Sequence, residues 1–121
     1  MAGEELEFIC KADEVKERAS VKFAFRQGEL EIEGFLIRMD GKFYAYVNEC
    51  AHLPMSMDWG DNDFFTQDGG RLMCKTHGAV YVPETGLCVD GPCPGRSLVP
   101  IPIEVKDGSI WRIKRRIPRD I

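Results

Sequence analysis

The stretch CKTHGAVY, residues 74–81, places a cysteine and a histidine three positions apart at the start of a short apolar run. A second pair lies upstream, where His52 follows Cys50 by two positions, and 21 residues separate His52 from Cys74. The chain has no histidine besides His52 and His77. Thiolate sulfur and imidazole nitrogen are the side-chain ligands of zinc and of iron–sulfur clusters. The two pairs therefore predict one metal site.

Short apolar or alternating segments recur between turn residues on both sides of these pairs, which is typical of antiparallel β-proteins. The predicted strands are residues 6–10, 21–26, 30–38, 43–48, 71–74, 79–82, 98–105 and 109–113. Asp-Gly pairs at 40–41, 68–69 and 107–108 predict chain reversals, and residues 12–19 predict one short helix. We expect an all-β antiparallel sandwich or barrel, a single domain over residues 1–121, with each Cys/His pair at a loop tip.

Composition and charge exclude several classes of protein. The 121 residues are 44% hydrophobic with a net charge of -4, and no window approaches the roughly 20 apolar residues of a membrane-spanning helix. Residues 1–111 carry 11 basic and 19 acidic side chains, a balance that repels phosphate backbones. Residues 1–7 lack the basic start of a secretory signal. We expect a cytoplasmic monomer without nucleic-acid or membrane partners.

Two charged segments have more than one interpretation. The last ten residues hold five of the 16 basic side chains, and we expect a solvated, partly frayed tail rather than a docking segment. Four aspartates follow the first Cys/His pair and predict either a solvated loop or a docking surface for a partner: Asp58, Asp61, Asp63 and Asp68.

Five cysteines in a short chain raise the question of a disulfide framework. The odd count and the absence of an export signal argue against one. Cys10 lies in the first predicted strand and is expected in the core. Cys88 and Cys93 are five positions apart, and small buried side chains are favoured over a pair or a metal site.

The arrangement of ligands within each pair distinguishes between kinds of metal site. Two cysteines and two histidines can hold either one tetrahedral zinc or a binuclear iron–sulfur cluster. Zinc fingers usually group a Cys pair and then a His pair, whereas this chain mixes the two types in each loop. That mixture resembles the Rieske iron–sulfur proteins. The similarity continues through residues 74–81, through Thr85-Gly86 and the proline loop at 91–95, and into the closing hairpin at 98–113.

The resemblance implies a specific cofactor and ligand set. In Rieske proteins two cysteines hold one iron and two histidines hold the other. It therefore implies one [2Fe-2S] cluster, bound by Cys50, Cys74, His52 and His77. It also implies a Rieske-type fold, whose small cluster-binding subdomain is built from two loops within about residues 43–97.

The sequence departs from the high-potential members of that family. Those members are expected to have a glycine and a cysteine where this chain has Pro54 and Met55, and the other half of their disulfide where it has Thr76. No bridge can link the two ligand loops. Ala79 replaces a serine that donates a hydrogen bond to the cluster, whereas Tyr81 matches the family's tyrosine near the cluster. Fewer hydrogen bonds leave the reduced cluster less stabilised, which predicts a low-potential centre.

The sequence shows no catalytic apparatus beside the predicted cluster. It has no dinucleotide fingerprint and no histidine left to act as a base. The chain is most similar to a Rieske-type ferredoxin, which implies a carrier of one electron from a reductase to an oxygenase or other acceptor, and not an enzyme on its own. Two alternatives stay open: a small non-catalytic subunit of a larger reductase such as nitrite reductase, and a zinc-stapled interaction module.

Overall fold

The computed structural model describes residues 5–51, 56–58, 60 and 63–117. Within these ranges nine strands form three antiparallel sheets of three strands, in the orders β1-β9-β8, β2-β3-β4 and β5-β6-β7. The strands are β1 Leu6–Lys11, β2 Ser20–Gln27, β3 Leu30–Met39, β4 Lys42–Val47, β5 Leu72–Met73, β6 Val80–Tyr81, β7 Cys88–Asp90, β8 Ile103–Lys106 and β9 Ser109–Ile113. The predicted all-β antiparallel class is confirmed. No helix in the described part of the chain is long and apolar enough to cross a membrane.

Strand β3 lies between two hydrophobic cores. Side chains alternate between the faces of a strand, so Ile32 and Leu36 enter a core shared with the β1-β9-β8 sheet. Phe35 and Ile37 enter the other core, which includes residues of the β5-β6-β7 sheet. There the Phe35 ring stacks on Phe64, with 4.0 Å between ring centroids. The second core therefore supports the small sheet that carries the second Cys/His pair.

Two of the predicted Asp-Gly turns close hairpins. Asp40 and Gly41 have φ angles of 52° and 78°, and Asp107 and Gly108 have φ angles of 54° and 74°. Two consecutive residues with positive φ are the signature of the type I′ turn, whose twist matches that of paired strands. These turns fix the β3–β4 and β8–β9 registers.

Two strand predictions differ from the structure. The predicted strand 98–105 is shorter in the structure, where β8 begins at Ile103. The residues before Ile103 make only one isolated β-bridge, between Pro100 and Tyr46. Strand β7, Cys88–Asp90, was not predicted, because three residues beside a proline loop carry too short a pattern to be recognised.

The predicted helix at residues 12–19 is wrong. Only a single 3₁₀ turn, Ala12–Glu14, forms there. Arg18 has a φ of 57°, a left-handed conformation that no right-handed helix can include. The Glu17 carboxylate accepts hydrogen bonds from the backbone amides of Asp40 and Gly41. The segment is thus held by the β3–β4 turn, and eight residues of helical composition are too few to form a helix unaided.

The expectation of a solvated, partly frayed basic tail holds only in part. Lys114, Arg115 and Arg116 are exposed as expected, but contacts hold the chain as far as residue 117. Arg112 is buried, with its Nε 2.9 Å from Glu7 Oε1 and its guanidinium 4.0 Å from the centre of the Phe25 ring. The Gln27 side chain donates to the carbonyl of Ile117 at 2.9 Å and accepts from its amide at 2.6 Å. Tertiary contacts therefore hold the chain to residue 117, and residues 118–121 lie outside the described ranges.

Candidate metal centre

Three of the four predicted ligands lie in loops at the ends of short strands. Cys50 follows β4, Cys74 directly follows β5, and His77 precedes β6. The second loop is tight, because the Cys74 amide donates to the carbonyl of Ala79 and the Gly78 amide donates to the carbonyl of Cys74, both at 2.8 Å. This local hairpin fixes the spacing between the Cys74 and His77 side chains.

The structure brings these three side chains to one point. The Sγ atoms of Cys50 and Cys74 and a ring nitrogen of His77 all lie within 4.8 Å of one another. The Cys74 Sγ is 3.5 Å from His77 Nδ1. Both thiols are buried, and the imidazole is half-buried. His52 lies outside the described residues, so its role as the fourth ligand stays a prediction.

The chemistry of the two thiols fits a bound metal centre. Burial raises the pKa of the Cys74 thiol, and the adjacent Cys50 thiol raises it further. Two thiolates side by side in a buried site are unfavourable unless a cation compensates their charge. An imidazole nitrogen next to them supplies a neutral ligand. This donor set therefore fits the iron–sulfur cluster that the sequence predicts.

Tyr81 lies beside the Cys50 sulfur in the second core. Its hydroxyl accepts a hydrogen bond from the Ala51 amide at 3.0 Å and is 3.4 Å from the Cys50 Sγ and 3.7 Å from the Cys93 Sγ. Burial raises the pKa of Tyr81 far above its usual range, and the contact with Cys50 adds to the shift. The hydroxyl thus stays protonated and is available as a donor to sulfur.

A buried polar network positions the first ligand loop. The Asn48 side chain accepts from the Met57 amide at 2.9 Å and donates to Asp58 Oδ1 at 3.2 Å and to Glu33 Oε1 at 2.6 Å. Asp58 Oδ2 lies 3.1 Å from Lys22 Nζ. Residues of β2 and β3 thereby fix segment 56–58. The role of Asn48 was not predicted from the sequence, although a polar side chain at the end of a buried strand is a signal that could have identified it.

The network changes the interpretation of the four aspartates. Asp58 cannot be a docking residue, because its side chain is only 1% exposed and is paired with Lys22. Asp63 and Asp68 are exposed. Asp63 pairs with Lys75, and Asp68 caps its own turn. Asp61 lies outside the described residues.

We expect the Asp58→Asn variant to lower the free energy of unfolding by about 1–2 kcal/mol, because an amide cannot compensate the Lys22 charge in this buried position. The matched control is Asp63→Asn, which alters an exposed pair whose acidic side chain is 59% exposed, and should cost less than about 0.5 kcal/mol. Urea denaturation of the two variants measures both values. Equal losses would contradict a special role for Asp58.

The proline loop packs directly on the second ligand loop. A Cβ atom on Gly91 would lie 2.7 Å from the Ala79 Cα and 2.7 Å from the Gly78 carbonyl oxygen, so only glycine fits there. Beyond the loop, Arg96 Nη1 lies 3.4 Å from the carbonyl oxygen of Ala51. Three loops therefore meet around the converging thiols.

The remaining cysteines are buried, as predicted. Cys10 lies in the core that contains Ile32 and Leu36. Cys88 and Cys93 are 2% and 4% exposed, and their Sγ atoms are 3.4 Å apart. Both are thus small buried side chains, the favoured interpretation, and they also lie in contact, as the less favoured interpretation of a pair requires.

Comparisons with known proteins identify the family. A model of the Rieske [2Fe-2S] domain matches residues 5–107. The 3-phenylpropionate/cinnamic acid dioxygenase ferredoxin subunit of Photorhabdus laumondii is 28% identical over 106 residues, which are 86% of this chain and 90% of that protein.

Solved structures show the same fold. The Sphingomonas yanoikuyae B1 ferredoxin superposes with a TM-score of 0.70 at 22% identity, covering 92% of this chain and 100% of that one. The ferredoxin of carbazole 1,9a-dioxygenase from Nocardioides aromaticivorans IC177 gives a TM-score of 0.69 at 20% identity, covering 91% and 98%. From the converging thiols, the matched family model and this shared fold, we conclude that the chain belongs to the Rieske [2Fe-2S] domain family.

Proposed function

We propose that this protein is a one-electron carrier that receives an electron from a reductase and delivers it to an oxygenase. The observation that carries the proposal is the convergence of Cys50, Cys74 and His77 within 4.8 Å beneath a covering loop. The relative from Photorhabdus laumondii, named as a ferredoxin subunit of a dioxygenase, matches over nearly its whole length and supports an oxygenase as the acceptor.

We propose Cys50, His52, Cys74 and His77 as the residues that hold the [2Fe-2S] cluster. When bound, the cluster takes up and releases one electron, at a potential that histidine ligation raises into a range of about -150 to +300 mV. The residues around the cluster determine where its reduction potential lies within that range. Tyr81 offers a hydrogen bond to the Cys50 sulfur, whereas the buried Ala79 has no hydroxyl to offer. We therefore place the centre on the low-potential side of the range.

The purified protein is expected to be red-brown and to contain two iron and two acid-labile sulfide per chain, the composition of one [2Fe-2S] cluster. After anaerobic reduction, mixing with an oxidised ring-hydroxylating dioxygenase should reoxidise the protein by one electron per chain. Metal analysis and stopped-flow absorbance measure the two quantities. One zinc per chain and a colourless protein would instead support the zinc-stapled module.

The same experiment distinguishes the reductase-subunit alternative. A permanent subunit would copurify in a stable assembly with its catalytic partner, and its electron transfer would not depend on the concentration of added oxygenase. A carrier should show rates that rise with oxygenase concentration until the complex saturates. A rate that is independent of concentration from the start would contradict the carrier.

We expect the Tyr81→Phe variant to have a midpoint potential lower by about 20–60 mV. A hydrogen bond to a ligand sulfur stabilises the more negative, reduced state, and a net value of about 0.5–1.5 kcal/mol corresponds to that shift for one electron. The control is Tyr46→Phe, because the buried Tyr46 hydroxyl donates to the carbonyl of Pro83 and not to sulfur. Voltammetry of both variants measures the potentials, and an equal shift in both would refute the assignment.

We further propose that residues 1–121 form one domain that works in the cytoplasm. The two cores share strands β3 and β4, which supports a single unit. The five cysteines all lie in the described residues and none of them is in a disulfide, which fits a reducing compartment. A single cooperative unfolding transition and recovery in the cytoplasmic fraction are the expected results.

A further inference from the structure

Two cysteines outside the proposed ligand set lie in contact at the base of the proline loop. The Cys88 and Cys93 Sγ atoms are 3.4 Å apart, and the Cys88 thiol also lies 3.1 Å from the carbonyl oxygen of Asp90. A disulfide bond length is about 2.05 Å, so the sulfur atoms need to approach by only about 1.4 Å. Forming the bond would require a change in the side-chain torsions of the two cysteines.

Backbone hydrogen bonds already close the loop that carries the two cysteines. The Cys88 amide donates to the carbonyl of Arg96 at 2.7 Å, and the Gly95 amide donates to the carbonyl of Cys88 at 3.1 Å. The Arg96 amide donates to the carbonyl of Cys93 at 3.1 Å. These bonds hold both ends of the loop, so a disulfide across it would preserve an existing arrangement.

The pair is separated from the metal site by one side chain. The Tyr81 hydroxyl lies between the Cys93 sulfur, at 3.7 Å, and the Cys50 sulfur, at 3.4 Å. Cys88 and Cys93 therefore do not belong to the group of ligand atoms that converge at Cys50, Cys74 and His77. The proposed ligand set therefore does not account for the contact between Cys88 and Cys93.

The second cysteine lies just beneath the surface. Cys93 is buried, but Pro92 and Pro94 on either side of it are exposed. Cys88 and Cys93 belong to the core that contains Phe35 and are as buried as Cys10. The other residues of the proline loop at 91–95 are exposed, so opening of this loop would give a reagent access to the pair. The two thiols thus combine mutual contact with a position beneath an exposed loop. Burial raises the pKa of the Cys93 thiol, and the contact with Cys88 adds to the shift. Exchange is therefore expected to be slow and to follow opening of the loop, because its rate depends on access and on the thiolate fraction.

We propose that Cys88 and Cys93 form a redox-active thiol pair that closes the proline loop with a reversible disulfide. The oxidant is a low-molecular-weight disulfide such as glutathione disulfide. One cysteine thiolate attacks a sulfur of this reagent and releases one glutathione, and the second cysteine then attacks the mixed disulfide and releases another. The protein loses two electrons and two protons, and one glutathione disulfide is reduced to two thiols.

The disulfide would stabilise the loop that packs on the second ligand loop at Gly91. Closing residues 88–93 removes conformational freedom from the opened loop. The amides of Gly95 and Arg96, whose hydrogen bonds close the loop, should then exchange with solvent roughly tenfold more slowly. Under oxidising conditions the proline loop would therefore open less often.

Peptide mapping of the iron-loaded protein tests the proposal. The protein is equilibrated with glutathione buffers from fully reduced to fully oxidised, quenched with acid, alkylated and digested with trypsin. Cleavage after Lys75 and Arg96 releases residues 76–96, which contain Cys88 and Cys93 and no other cysteine. The expected product at the oxidising end is this peptide, unlabelled and lighter by two hydrogens, while the visible spectrum is unchanged.

Three results would overturn the proposal. They are two labels on the peptide at every buffer ratio, glutathione adducts in place of the internal bond, and oxidation that occurs only as the visible spectrum is lost. The Cys93→Ser variant should show no internal bond, whereas Cys10→Ser should behave as wild type. Peptide mass and hydrogen exchange do not depend on electron transfer, so a failed carrier function and a failed disulfide give separate results.

Discussion

Replacing His77 by alanine is expected to abolish the visible absorption of the purified protein and to reduce its iron content to below roughly a tenth of wild type. The imidazole is one of three ligand groups that converge within 4.8 Å, and alanine offers no donor atom there. The two buried thiols, Cys50 and Cys74, would remain with only one of the two proposed nitrogen ligands, His52. Absorbance spectra and iron analysis of the purified variant measure the loss.

The matched controls for this experiment are Cys88→Ala and Cys93→Ala. Both thiols are buried near the same site, but neither is among the converging ligand atoms. Each control should keep the wild-type visible spectrum. Circular dichroism should show that His77→Ala retains its strands, because none of the three converging residues belongs to the described core between β3 and the β1-β9-β8 sheet. An intact cluster in His77→Ala, or its loss in either control, would refute the ligand assignment.

The Gly91→Ala variant should lower the free energy of unfolding by about 3–4 kcal/mol and impair cluster retention. Gly91 has a φ of 90°, which costs a residue with a side chain about 1–3 kcal/mol. The added Cβ would also lie 2.7 Å from the backbone of Gly78 and of Ala79. Backbone atoms cannot rotate away as a flexible side chain can, so the proline loop and the second ligand loop must separate. Thermal unfolding and iron content measure the two effects.

The Gly95→Ala variant is the control that separates the conformational cost from the steric cost. Gly95 has a φ of 89° in the same loop, but nothing lies within 4 Å of the position of an added Cβ. This variant should therefore carry only the conformational cost, about 1–2 kcal/mol, and should keep its cluster. If Gly91→Ala is no less stable than Gly95→Ala, the close packing of the two loops does not contribute to stability.

The strands and hairpins were predictable because their signals are local. Strand β3 alternates between two faces, and Asp40-Gly41 closes its hairpin with two positive φ angles. Two predictions were wrong in whole or in part where contacts with distant residues outweigh the local sequence pattern. The predicted helix at residues 12–19 gives way where Glu17 caps the β3–β4 turn, and the basic tail is held by Gln27, 90 residues away.

The sequence by itself determined the chemistry that we propose for this protein: the types of the candidate ligands, their pairing within each loop, and the absence of a disulfide partner in either loop. Those features depend on residue identity and short spacing. The tertiary structure brings Cys50 to Cys74 and His77, as the single predicted metal site requires. Only the tertiary structure decided that Asp58 is buried and paired with Lys22 and that Cys88 contacts Cys93. Contacts between separate loops depend on how three sheets pack around shared cores, and packing is a property of the whole chain that no short segment encodes.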